Sequence, residues 1–283
     1  MQGGYVSHAS WIYKISIEIK EAERRLKSGT MYVTWHGTAT IEAGCAAGRL
    51  LFDPFVPLAG TKSCVTIGDF DGFTHILVTH GHFDHISCIP AVVRRNPSAR
   101  VYCTQTPLKT LHKKGVPWKS LILICPGQIL HINGFAVHVF AGRHARLPWF
   151  SPVRAIHALK SPFRYNLPYI FKEHLICREH DETVFYHLEA ENKSISVMGS
   201  LNLRDDVEYP SEADLLVLPY NGWAENFLPA VKSITRLKPK RVVLDHYDDT
   251  FPPISMTPDL LPLLNRYGSM VSAMEQGRPE YAL

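Results

Sequence analysis

The chain has 283 residues, 46% of them hydrophobic and 20% charged, which is globular composition with length enough for a large core. Its 30 Lys and Arg against 26 Asp and Glu leave a net charge of +4, too mild an excess to indicate a nucleic-acid partner. No basic-then-apolar leader opens it and no apolar run approaches the length of a membrane span.

One domain over residues 1–283 is the expectation for this length, with residues 1–30 as an accessory segment. Six cysteines (Cys45, Cys64, Cys88, Cys103, Cys125 and Cys177) include no Cys-x-x-Cys pair, and most sit in apolar runs as small hydrophobes. A reducing cytoplasm is the expected compartment. Fifteen histidines is a high count for this length and suits a histidine-rich metal site.

In chain order, Trp11 to Lys27 carries Ile12, Ile15, Ile19 and Leu26 near helical spacing, while Ile15, Ile17 and Ile19 also alternate like a strand. Tyr32 to Glu42 and Arg49 to Phe55 read as two strands around a Gly-Ala loop, the second closing on Asp53-Pro54. His75 to Val78 is a short apolar run that reads as a buried strand. It leads directly into Thr79-His80-Gly81-His82-Phe83-Asp84-His85, with three imidazoles and a carboxylate inside six residues. Such donors are what Zn²⁺, Fe or Mn²⁺ take as ligands. Gly81 allows a bend that lets alternate side chains turn to two different ions. The competing reading, a solvated histidine cluster, leaves four metal-grade donors crowded without a reason.

Beyond this loop, Ser87 to Arg95 reads as a helix ended by Asn96-Pro97, and Arg100 to Thr104 as a strand. Thr106-Pro107 opens a helix that Gly115 closes, with the hydroxyl as cap. Strands follow at Leu121 to Cys125 and Phe135 to Phe140, the second delivering His144; His138 falls inside the alternating run and His131 in a turn. Pro148 to Pro168, with Trp149, Phe150, Phe163 and Tyr165 among four prolines, cannot be regular throughout, and either walls a pocket or packs as a connection. Thr183 to Ala190 and Ser194 to Met198 form a hairpin that runs into Gly199-Ser200. Asp214 to Pro219 is a buried strand, Pro229 to Leu237 a helix, and Arg241 to Asp245 a strand ending on His246. Thr257-Pro258 opens a last helix, and the tail from Val271 could return as a hairpin.

The spacing His-x-His-x-Asp-His after a strand resembles the signature of the metallo-β-lactamase superfamily. The opening Trp35-His36-Gly37-Thr38-Ala39-Thr40, followed by a strand ending in Asp53-Pro54, is similar to the branch that holds ascorbate-6-phosphate lactonase and N-acyl-phosphatidylethanolamine phospholipase D. Asp53, the loop from His80 to His85, His144, the Gly199 turn and His246 stand in that superfamily's order, covering nearly everything from about residue 31 onward. The resemblance implies an α/β fold: an αββα sandwich of two mixed β-sheets flanked by helices, with the site at one edge. It implies one or two divalent ions, Zn²⁺ foremost with Mn²⁺ or Fe as alternatives. His80, His82 and His144 would hold the first ion, and Asp84, His85 and His246 the second. Asp84 and His246 are the expected catalytic residues, and Asp53 supports the histidine loop.

The implied activity is hydrolysis of a phosphodiester, lactone, or related ester or amide, because a divalent ion with an open position brings the pKa of bound water near 7. The substrate would be a small molecule or a lipid-like ester, with no nucleic acid and no transmembrane segment, and a homo-oligomer is possible. Other readings of the same fold are a catalytically idle metal-binding scaffold or sensor, and a di-iron redox protein. This chain departs from the family at Thr38, where the branch has histidine, and at Ser200, where the family has the aspartate that bridges two metals. Asp248 is the first candidate to replace that bridge.

Overall fold

The computed structural model describes residues 31–145, 152–222 and 226–282. The segment Trp11 to Lys27 and the rings of Trp149 and Phe150 lie outside the described residues.

Two seven-stranded sheets lie face to face. The first runs in the order β14-β1-β2-β3-β4-β5-β6: β14 (Pro279–Tyr281), β1 (Tyr32–Gly37), β2 (Thr40–Cys45), β3 (Gly48–Phe52), β4 (His75–Leu77), β5 (Arg100–Cys103) and β6 (Leu121–Leu123). The second runs β13-β12-β11-β10-β9-β8-β7: β13 (Val271–Ala273), β12 (Val242–Asp245), β11 (Leu215–Pro219), β10 (Lys193–Met198), β9 (Val184–Ala190), β8 (Phe135–Ala141) and β7 (Ile129–Ile132). Each sheet is antiparallel on one side and parallel on the other. The change falls at β3 in the first sheet and at β10 in the second.

The parallel halves are covered on both faces, and their sequences show it. In β11 every residue is buried. Leu215 and Val217 point into the core between the sheets, while Leu216 and Leu218 pack under the helices outside. In β5, Tyr102 faces the shared core while Val101 and Cys103 face the outer helices. Three apolar clusters result, one between the sheets and one beneath each helical layer. That is the two-mixed-sheet sandwich expected from the sequence.

Several local expectations are corrected. The opening holds three strands, because Gly37 and Thr38, at φ 114° and 47°, turn the chain between β1 and β2. His131 lies within β7 rather than in a turn. The Ser87 to Arg95 helix is present but starts at Ile89, as Ile89–Arg95, and a separate short helix, Phe83–Ile86, precedes it within the histidine loop. The next helix begins at Gln105 with Thr104 at its N-cap position, and Thr106 instead donates its hydroxyl to Glu182 at 2.6 Å. The later helices span Phe227–Leu237 and Leu261–Tyr267. The tail is no hairpin: β13 pairs with β12 in one sheet and β14 with β1 in the other. Both sheets have an open edge at this end, so two consecutive strands each complete a different sheet.

Between His144 and β9 the chain forms the helices Pro152–Lys160 and Leu167–Ile176. Phe163 sits over Gly60, where an added Cβ would come within 2.4 Å of the ring. It packs that surface loop rather than the site.

Candidate metal centre

The carboxyl ends of β3, β4, β8, β10, β11 and β12 open on the same edge of the sandwich. Edge loops beyond strand carboxyl ends are where open α/β sheets gather ligand-binding groups. The loop after β4 is the tightest of them. Thr79 N–H donates to Asp53 Oδ1 at 2.8 Å and its hydroxyl donates to Asp53 Oδ2 at 2.5 Å, tying the loop's first residue to the end of β3. Gly81 is there for closeness rather than for a bend, since a Cβ would stand 2.1 Å from the Arg178 carbonyl oxygen. Gly81→Ala should therefore push the loop off Arg178, costing about 1–3 kcal/mol as overpacking does. Thermal unfolding and metal content would both read the change, and an unaltered protein would show that the Arg178 backbone yields freely.

The hydrogen bonds around the imidazoles set their tautomers. His85 Nδ1 donates to Asp53 Oδ2 at 2.8 Å. The Thr79 hydroxyl, having given its proton to Asp53, accepts from His80 Nδ1 at 3.1 Å. His144 Nδ1 donates to the Ala145 carbonyl at 2.6 Å, and His246 Nδ1 donates to Asp245 Oδ2 at 3.2 Å. In the neutral form of each of these rings the lone pair is then on Nε2. His80 Nε2 is buried and has no hydrogen-bond partner among the described residues.

Charge follows the same pattern. Burial, with the neighbouring imidazoles, holds His80 and His85 well below the ordinary histidine value and brings His82 to about 3, so these rings are neutral donors. Burial also lowers His144. His246 is the exception: burial alone would push it down, but the hydrogen-bonded Asp245 carboxylate holds it above its ordinary value. Burial raises Asp84, whose Oδ2 lies 3.8 Å from His85 Nε2.

The structure brings all six ligand candidates together. His80, His82 and His144 each offer a donor atom within 4.8 Å of the others, and Asp84, His85 and His246 do the same. The rings are in contact across the two groups, with His80 and His85 centroids 3.8 Å apart. His138 stays in β8, facing Glu189 rather than the site.

The two departures from the family pattern have structural jobs. Ser200 lines the cavity, and its hydroxyl accepts the Ala145 N–H at 2.9 Å, which pins the loop carrying His144. Thr38 clasps the loop of His246: its carbonyl accepts the His246 N–H at 2.9 Å and its hydroxyl donates to Thr250 at 2.7 Å. Asp248 lines the cavity too, but both its oxygens accept the Thr38 N–H, at 3.1 and 3.0 Å. It stands outside both donor groups, which weakens its candidacy as a bridge. Thr38 and His246 hold φ of 47° and 60°, conformations that cost energy and persist where surrounding contacts enforce them.

Sequence reasoning passed over His174, whose ring centroid lies 6.1 Å from that of His82, and the apolar wall formed by Ile170, Phe171, Phe251, Ile254 and Met256. Only proximity in space singles them out.

Three buried imidazoles held neutral, His80, His82 and His85, one carboxylate and, among the described residues, an orphaned buried nitrogen fit a metal ion and little else. The fold and site together define a metal-binding αββα protein with its donors at one edge of the sandwich. Residues 48–247 match the family model described as the Beta-lactamase superfamily domain, and the chain belongs to that family. It is 25% identical over 232 residues to a UPF0173 metal-dependent hydrolase of Caldivirga maquilingensis, covering 81% of this chain and 86% of the relative. A second UPF0173 metal-dependent hydrolase, from Alkaliphilus metalliredigens, is 25% identical over 227 residues, covering 79% of this chain and 87% of the relative. Igni18, a metallo hydrolase from Ignicoccus hospitalis, shares the fold with a TM-score of 0.58 at 18% identity, over 89% of this chain and 98% of that one. The fold is therefore that of the metallo-β-lactamases.

Proposed function

We propose that this chain is a hydrolase working with two divalent ions, one on His80, His82 and His144 and one on Asp84, His85 and His246. The observation that carries the reading is the pair of converging donor groups beside the unpartnered His80 Nε2. Bound there, Zn²⁺, Mn²⁺ or Fe would supply Lewis acidity and water acidic enough to attack near neutral pH. The protein's own part is positional. Asp53 and Thr79 hold His85 and His80 in the donating tautomer, while Ser200 and Thr38 fix the loops that bring His144 and His246 in. Asp84 can accept a hydrogen bond from the attacking water and hold it in line.

The scissile bond is an ester, lactone, phosphodiester or amide of a small molecule. The likeness of the first three strands to the lactonase and phospholipase D branch supports the first three of these. Six free cysteines support a reducing cytoplasm as its place of work. Among the described residues no helix is long and apolar enough to cross a membrane.

Metal analysis of the purified protein, followed by a lactonase, esterase and phosphodiesterase screen, tests the reading. Two metal equivalents with turnover support it, while stable metal with no turnover on any class would favour a scaffold.

Ser200 gives a sharper test of the second ion. A neutral hydroxyl leaves two cations without a shared anion, and their repulsion is felt at short range. Titration calorimetry should show one tight and one weaker equivalent, with Ser200→Asp tightening the weaker. Two equally tight equivalents in the unmodified protein would show that another group already bridges.

A further inference from the structure

The cavity over the donor groups measures about 350 Å³, at the small-molecule end of ligand sites. Its outer wall comes from two segments far apart in sequence. The Leu167–Ile176 helix supplies Ile170 and Phe171, and the chain after His246 supplies Phe251, Ile254 and Met256. Phe171 is 56% exposed and Met256 46%, although both could have been buried or polar. Apolar surface kept open to water at the mouth of a cavity is surface waiting for a ligand.

The charges point the same way. Among the described residues that line this cavity there is no lysine and no arginine. Among the described lining residues, the ionisable groups apart from the imidazoles are the carboxyls of Asp84 and Asp248. The ions could themselves meet a phosphoryl group at the reacting bond, but a further anionic group elsewhere on a substrate is generally met by guanidinium or ammonium groups. Here the part of the substrate away from the reacting bond would meet hydrocarbon and carboxyl groups.

We infer that the substrate is an uncharged carboxylic ester or lactone with an aliphatic or aryl arm, the arm lying along Ile170, Phe171, Phe251, Ile254 and Met256. The inference rests on the hydrolase reading above. In the reaction, the oxygen of one water bonds to the carbonyl carbon and the bond from that carbon to the ester oxygen breaks. The leaving oxygen takes one proton from the water, and the other ends on the carboxylic acid or is released from it. No oxidant, reductant or further reactant is needed.

The test uses the full chain loaded with its metal and compares p-nitrophenyl acetate, butyrate and octanoate with bis(p-nitrophenyl) phosphate. We expect kcat/KM to rise at least about tenfold from acetate to octanoate, as added methylenes find apolar wall. The phosphodiester should be turned over at less than about one hundredth of the octanoate rate. A flat response to arm length, or preference for the phosphodiester, would overturn the inference and leave the hydrolase reading standing. Metal-loaded protein inactive on every ester and diester would remove the hydrolase reading and the inference with it.

Binding of the neutral fluorophore N-phenyl-1-naphthylamine supplies a readout independent of turnover. It should saturate at one site, weaken severalfold in Phe171→Ala and Met256→Ala, and be displaced by methyl octanoate but not by dimethyl phosphate. Both substitutions fall on solvent-facing rim positions, so the fold should survive them. Binding indifferent to both would show that this wall is not a ligand site.

Discussion

His80→Ala and His82→Ala should each lose one tightly held metal equivalent and nearly all hydrolytic activity. His80 Nε2 is buried with no hydrogen-bond partner among the described residues, so an ion there would be the group that satisfies it. The loss should exceed the roughly 10–100-fold that removal of a merely supporting hydrogen bond costs a metal site. Fold stability without metal should change little in His80→Ala, because the unpaired nitrogen leaves with the ring while the cavity and the lost bond to Thr79 offset that gain. Atomic absorption after dialysis, beside a melting curve of stripped protein, separates the two effects. Both variants retaining full metal would refute the assignment of these two rings.

Asp53→Asn should be the most damaging substitution outside the six donors. The Asp53 carboxylate is buried and accepts three hydrogen bonds, from Thr79 N–H, the Thr79 hydroxyl and His85 Nδ1. Burial raises its pKa, and the two Thr79 hydrogen bonds work in the opposite direction. An amide keeps the shape, and asparagine tolerates the φ of 45° at this position. What changes is that an NH₂ group replaces one acceptor and meets donors. Leaving buried donors without acceptors costs about 1–3 kcal/mol each. His85 loses the bond that fixes its tautomer, and metal affinity should fall by roughly 10–100-fold. Chemical denaturation and metal titration would measure these separately. Unchanged metal affinity with lowered stability would make Asp53 a plain turn residue.

How much of this was legible depended on whether the relevant residues were neighbours in the chain. The six-residue stretch from His80 to His85 holds four of the six donors, and a strand in front of a loop is a local pattern. His144 and His246 lie just past strand ends, where the resemblance to the metallo-β-lactamase superfamily implies ligands, while His138 lies within a strand. The same local logic misplaced helix starts by a few residues. Thr106, for example, reads as a cap, yet it serves Glu182, 76 residues away. The tail was read as two strands, correctly, but as a hairpin, since nothing nearby says that Tyr281 pairs with Tyr32 while Val271 pairs with Val242.

By itself the sequence determined the chemistry of the site: neutral nitrogen donors with one carboxylate, on loops leaving buried strands, because residue type and strand period are properties of short stretches. It also determined the layered class, since fully apolar strands such as Leu215–Pro219 must be covered on both faces. Only the tertiary structure decided which hydroxyl steadies which loop, how Thr38 grips the His246 turn across more than two hundred residues, and that Phe171 and Met256 share one apolar wall. Those pairings depend on where two sheets bring their edges together, and no local pattern encodes the partner across that gap.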